Sequence, residues 1–490
     1  MSWPFIFIPL LVDQMTPEST SIESGFFAPL YSSNTPAQKA ELRGWAGLAM
    51  LSLAIAGVFA LLLAFSRIPG VQDYLPLPLD FFDKGLVIHV VFSFVVWFQA
   101  VFGCLLNVST TRLGNGAARM QWLGKIALAG GYVSCILLFV PAFMDRGEAT
   151  LNNYIPAITD PLYYAGLVLL GAALGLLVLR LLINLPGSEG RWKEPLPFGT
   201  LCAALIFGLA LLSFAITAAS LQGEELSYEF NESLFWGGGH ILQFANTAML
   251  ITALYVLARL TLKDVIPEDN QLILTALGIL VIYSGMGISI TLKHAPVNEK
   301  YWSMFTDFQY GLILPALLFG VPMLIDILKQ KKTGLGLPLR DPGFLCLALS
   351  PIVFAVGGVL GLFVDGGDTR TPAHYHGVIA GINLSFMGLF YGLILPLLGR
   401  ELPRGKALYA QIYMFGGGQL FASIGLFLAG GYGTPRKTAG ESQGLEEIGA
   451  KVGMFMNGIG ALIAVVGGIM FIWMVSKALL KATEANNLET

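Results

Sequence analysis

The chain has 490 residues, of which 55 % are hydrophobic and 12 % charged, with a formal net charge of −3 and a mean hydropathy of +0.71. A soluble globular chain carries about 25 % charged residues, so this composition excludes a soluble enzyme with one anchor and places most of the chain in lipid. The near-neutral balance, without a basic block, excludes a nucleic-acid partner. Cys104, Cys135, Cys202 and Cys346 lie in apolar runs without a CxxC or CxxCH pattern, which gives no support for a disulfide framework, a zinc site or covalently attached c-type haem.

Residues 1–42 hold one short apolar stretch, WPFIFIPLLV. It is too short to span a bilayer and lacks a basic leader and a small-residue cleavage site, so it is expected to lie at the membrane interface on the cytoplasmic side. Twelve apolar runs follow, at 43–67, 86–107, 121–145, 160–184, 197–220, 235–262, 270–292, 307–328, 342–364, 371–399, 407–430 and 448–477. Each is near the ~20 residues that a helix needs to cross ~30 Å of hydrocarbon, and too long for barrel strands of ~10 residues. The expected fold is therefore all-α: one polytopic domain of twelve transmembrane helices over 43–477, with a tail at 478–490 and no internal repeat.

Orientation follows from the loop cations. Arg112, Arg119, Arg191, Lys193, Lys263, Lys329, Lys331, Lys332, Arg340, Arg400, Arg404 and Lys406 fall in the even-numbered connections. Lys84, Arg146, Lys293, Lys300, Arg370, Arg436 and Lys437 fall in the odd-numbered ones. The bias places both termini in the cytoplasm.

The chain has 5 histidines. His89 is near the start of span two, His240 near the start of span six, His294 just past span seven, and His374 and His376 near the start of span ten. With this orientation all five share one depth, near the outer face. Ionisable residues at membrane depth are costly and mark function. Residues i and i+2 on a helix point ~200° apart, so His374 and His376 cannot share one small ion. They can each serve a different planar cofactor, one on either side of span ten, and imidazole is an axial ligand of haem iron.

These residues resemble the haem-copper oxidase superfamily, subunit I. DTRTPAHYHGVIAG at 368–381 is similar to its tenth-helix signature, and GYGTPRKTAG at 431–440 to its loop before helix twelve. The resemblance implies two haems of b type. His89 and His376 would ligate the low-spin haem and His374 the high-spin one. His240 and His294 would hold copper or non-haem iron on its open side, and Arg436 and Lys437 would neutralise propionates. It further implies an oxidoreductase in a bacterial inner membrane, reducing O2 or NO. Its partners would be other membrane subunits and an electron donor, either a cytochrome c or copper-domain subunit or a quinol.

The chain departs from the pattern at the second metal. Lys293 stands where the family has a histidine beside His294. Phe244 stands four residues after His240, where oxidases have tyrosine. Tyr283 is eleven residues before His294, ~16 Å along a helix. Gln243 shares a face with His240 and is a candidate hydrogen-bonding group at the gas site. Glu229, Glu232 and Asp307 are candidate outer proton donors or solvated loop carboxylates. Three readings stay open: terminal oxidase, nitric oxide reductase, or a dihaem electron-transfer or gas-sensing subunit that lacks the second metal.

Overall fold

The computed structural model describes residues 28–32, 34–66, 81–262, 271–332, 336–364, 366–438 and 440–481. The apolar stretch WPFIFIPLLV lies outside the described residues.

Among the described residues, twelve helices are long and apolar enough to cross a membrane. In chain order they are α1 (Pro36–Leu63), α2 (Phe82–Leu113), α3 (Gln121–Phe143), α4 (Pro161–Asn184), α5 (Pro195–Ser220) and α6 (Tyr228–Leu262). They continue as α7 (Gln271–Lys293), α8 (Glu299–Lys331), α9 (Pro342–Gly361), α10 (Arg370–Leu397), α11 (Lys406–Gly431) and α12 (Ile448–Leu480). Span eight starts earlier than its apolar run, because an amphipathic helical segment, Glu299–Phe308, leads into it. Its buried residues Tyr301, Phe305 and Phe308 recur at helical spacing and face the bundle.

Starts are set by local chemistry. Asp160 caps α4 by accepting from the Leu162 N–H at 2.8 Å, and Asp341 caps α9 by accepting from the Phe344 N–H at 3.1 Å. Proline follows each cap, at a position where its missing N–H has no helical acceptor anyway. A two-stranded hairpin, β1 (Ala149–Thr150) and β2 (Ala157–Ile158), joins α3 to α4.

The helices do not share burial equally. Of their most apolar stretches, 89 % of α6, 72 % of α10 and 67 % of α2 are buried, against 17 % of α8. These three interior helices carry four of the five histidines. Two of them contain a π-helical segment, Val91–Val96 in α2 and Phe390–Ile394 in α10. The first begins two residues after His89, and such widened turns collect at functional sites.

Glycines set how closely helices meet. α9 and α10 cross at Gly357 and Gly377, where a Cβ on Gly377 would lie 2.6 Å from the Gly357 Cα. α11 and α12 meet at Gly418, Gly425, Gly453 and Gly460 in the same way, backbone on backbone. Without a hydrophobic drive between helices in lipid, such close packing holds the bundle.

Candidate functional site

Three histidines are anchored alike. His89 Nδ1 is 2.9 Å from the carbonyl of Ala56 on α1. His374 Nδ1 is 2.8 Å from the carbonyl of Gly357 on α9. His240 Nδ1 is 2.8 Å from the carbonyl of Trp236, one turn earlier on α6. A carbonyl only accepts, so each Nδ1 carries the proton and donates it. Nε2 then carries the lone pair. This is how proteins orient an imidazole that ligates through Nε2. For His374 the seat is cut into α9, because a Cβ on Gly361 would lie 2.5 Å from the imidazole Nδ1. His376 lies on the same helix, its ring 5.2 Å from that of Tyr375. The donor set at His89 and His374 therefore fits haem.

The surroundings of His240 differ. Its ring lies 4.6 Å from Tyr154, 4.9 Å from Trp236 and 5.5 Å from Phe305, centroid to centroid. Three consecutive glycines admit these neighbours. Gly237 gives room to Tyr301 and Phe305, Gly238 to Phe214 and Gly239 to Tyr154. Trp302 stacks beyond Trp236 at 4.6 Å. Among the described residues no three His, Cys, Asp or Glu side chains come together to hold a metal ion. Lys293 is exposed at the end of α7, and His294, half-buried, follows it outside the helix. A second-metal site needs three or four converging donors, and the side chains present do not fit one.

Tyr154 comes from the α3–α4 loop, at φ 63°. For a bulky side chain that left-handed conformation is strained and persists only when its surroundings enforce it. They do. Glu232 is buried and accepts from the Asn153 backbone N–H at 2.6 Å and from the Asn153 side-chain amide. Arg436 donates to the Asn153 side-chain carbonyl at 3.0 Å, and Lys437 donates to the Leu151 carbonyl. Asn152 donates to the Ile155 carbonyl at 2.6 Å. Burial pushes the Tyr154 phenol up, and the Glu232 charge adds to this, so it stays protonated.

Glu232 is thus a clamp rather than a solvated loop carboxylate, because α6 begins four residues before it, at Tyr228, and its first turn lies against the α3–α4 loop. Glu229 and Asp307 are exposed. Arg436 and Lys437 engage the α3–α4 loop through their side chains. The Gln243 amide donates to the Gly239 carbonyl at 3.4 Å and accepts from Asn246 at 3.3 Å. It also lines a crevice of about 280 Å³ between α2 and α6, with Phe94, Phe98, Gln99, Tyr154 and Asn246. Asn383 on α10 accepts from the Trp97 indole N–H at 2.8 Å and ties α10 to α2. Tyr154 and the clamp role of Glu232 were not legible as site residues. The signal for them was the glycine triplet, since three glycines inside a helix are tolerated only where something must approach closely.

Burial, then the adjacent Arg436 charge, pushes the Lys437 ammonium down to about 8, with Glu232 opposing them. The unfolded chain therefore binds more protons than the folded one between about 8 and the ordinary lysine value of 10.5. Stability rises with pH across that window and is lower below it. We expect Lys437→Met to flatten this rise, read as thermal unfolding midpoints of the solubilised protein at pH values spanning the window.

The spans, the interior position of α2, α6 and α10, and the carbonyl-anchored imidazoles define a polytopic membrane protein whose buried helices carry oriented histidines. Residues 43–470 match the profile of the family described as Cytochrome C and Quinol oxidase polypeptide I, and the chain belongs to that family. It is 25 % identical over 523 residues to an uncharacterized protein of Rickettsia prowazekii (strain Madrid E), covering 92 % of this chain and 98 % of the relative. It is 29 % identical over 366 residues to an uncharacterized protein of Aquifex aeolicus (strain VF5), covering 74 % and 86 %. Its fold matches a heme-copper terminal oxidase solved as a dimer by cryo-EM, with a TM-score of 0.75 and 16 % identity, over 92 % of this chain and 85 % of that one.

Proposed function

We propose that the chain is the haem-bearing subunit of a respiratory oxidase-type complex. His89 and His376 would hold a low-spin haem and His374 a second haem, which together would supply electron transfer and the binding of a diatomic gas. The carbonyl anchors on His89 and His374 carry this reading. They hold the imidazoles with the proton on Nδ1, which is the state that ligates iron through Nε2. When bound, the haems supply the redox chemistry. The protein supplies ligation, spacing and a dry interior: His374 and His376 project to opposite sides of α10, so each faces its own cofactor.

Dioxygen is the leading gas, with nitric oxide next. Phe244 removes the usual phenol from α6, which suits a reaction that needs fewer electrons. The aromatic packing of His240 favours a second reading, a dihaem electron-transfer or gas-binding subunit without a second metal. With no c-haem motif or copper-thiolate site in the chain, electrons come from a partner subunit or a quinol. Arg436 and Lys437 are proposed to meet propionates with whatever donor capacity the loop contacts leave.

The test is a reduced-minus-oxidised spectrum with an iron count on the purified complex, followed by addition of carbon monoxide and of O2 or NO. Two b-type haems per chain, one of them binding carbon monoxide, are expected. A preparation without haem overturns the reading.

A further inference from the structure

A metal bound to imidazole sits ~2.0–2.1 Å from nitrogen and gathers further ligands at similar distance. That requires open volume around the ring and converging donors. His240 has neither. It is 3 % exposed, and the rings of Tyr154, Trp236 and Phe305 lie at van der Waals range around it. Those rings are pinned. The Trp236 indole donates to the Trp302 carbonyl at 3.3 Å. Phe305 also packs on Tyr301 and Phe308, at 5.0 and 5.7 Å.

We propose that, in this chain, Tyr154 and its aromatic neighbours occupy the position of the second metal, so that the gas-binding haem works without a metal partner and Tyr154 takes the place beside His240. This rests on the dihaem reading above. Three independent features converge on it. The first is the room made by Gly239, where a Cβ would lie 2.5 Å from the Tyr154 ring. The second is the clamp of Glu232, Asn153, Arg436 and Lys437, which drives a tyrosine into a left-handed backbone. The third is the donor set, in which Lys293 lies exposed and no third ligand converges among the described residues. A loop that merely connected α3 to α4 would need neither the strain nor a four-residue clamp.

The arrangement also bears on the class of chemistry. His374 would hold a haem that supplies gas binding, and Tyr154, Trp236 and Phe305 would supply an aromatic wall beside His240 in place of a metal partner.

The experiment uses the purified complex from copper-replete cells. Copper and non-haem iron are counted per chain, and the carbon monoxide stretch of the reduced protein is recorded by infrared spectroscopy. Wild type, Tyr154→Ala and His240→Phe are compared. We expect no stoichiometric copper or third iron in any of them. Tyr154→Ala should shift the carbon monoxide stretch and speed its association, because it opens the wall. His240→Phe should leave the iron count unchanged. One copper or one extra iron per wild-type chain, lost in His240→Phe, overturns the proposal, and so does a carbon monoxide stretch unmoved by Tyr154→Ala. If Tyr154→Ala does not assemble, the wild-type metal count alone decides. A protein without haem sinks the dihaem reading, and its copper count still judges this one.

Discussion

His376→Ala removes the six-coordinate low-spin spectrum and about half of the haem iron, and leaves the carbon monoxide-binding haem in place. His89→Ala does the same. His374→Ala has the reverse effect: the carbon monoxide-binding haem is lost and the low-spin spectrum survives. The reason is geometric. His374 and His376 stand ~200° apart on α10, so one substitution reaches one cofactor. The anchors also differ. His89 hangs on the Ala56 carbonyl of α1 and His374 on the Gly357 carbonyl of α9, so neither imidazole depends on the other for its orientation. Electron delivery to the second haem should fall by more than ~100-fold in His89→Ala and His376→Ala, because losing the relay removes the path and not just a ligand bond. The measurement is the dithionite-reduced spectrum with and without carbon monoxide, beside iron per chain. Loss of both haems in His376→Ala, or retention of a full six-coordinate spectrum in both low-spin variants, would show that the pairing is wrong.

Much of the fold was legible from hydropathy. Twelve runs of about twenty apolar residues translate into twelve spans because lipid leaves the backbone no other option. The histidines stood out because ionisable groups are scarce in such a chain. What stayed hidden depends on contacts between distant positions. Tyr154 and His240 are 86 residues apart by number, and only the closure of the α3–α4 loop over α6 brings them together. Glu232 reads in sequence as one carboxylate of an acidic loop. Its role appears only when the Asn153 backbone is laid across it. Arg436 and Lys437 were recognisable as a specific pair, since they break the positive-inside trend, but the sequence could not say that loop carbonyls already use their donors. The WGGGH run was the one local hint. Each glycine in a helix costs about 1 kcal/mol relative to alanine, and three in a row imply that close packing repays it.

A second element was equally invisible. Arg180, inside span four, forms a buried ion pair with Glu41 of α1 at 2.7 Å, with side chains 1 % and 7 % exposed. It lies towards the end of α4, away from the hairpin and His240. Gly124 on α3 makes the room, since a Cβ there would overlap both side chains. The guanidinium spends one nitrogen, Nη1, on both carboxylate oxygens. Its Nε and Nη2 have no partner among the described protein atoms, so the pair is neutral in charge but incompletely satisfied. Removing one partner strands a charge in a dry interior, at about 3–5 kcal/mol. Replacing both by apolar residues of similar volume removes charge and desolvation together and is often close to neutral. We therefore expect Glu41→Leu alone and Arg180→Met alone to lower the unfolding temperature sharply or block assembly. The double variant should return most of the loss. Thermal unfolding of the solubilised complex, followed by haem release, reads all three. The haem spectra of the assembled double variant should match wild type, because the pair sits at the opposite end of the bundle from the histidines. Additive losses in the double variant would mean that each side chain is held by neighbours other than its ion-pair partner.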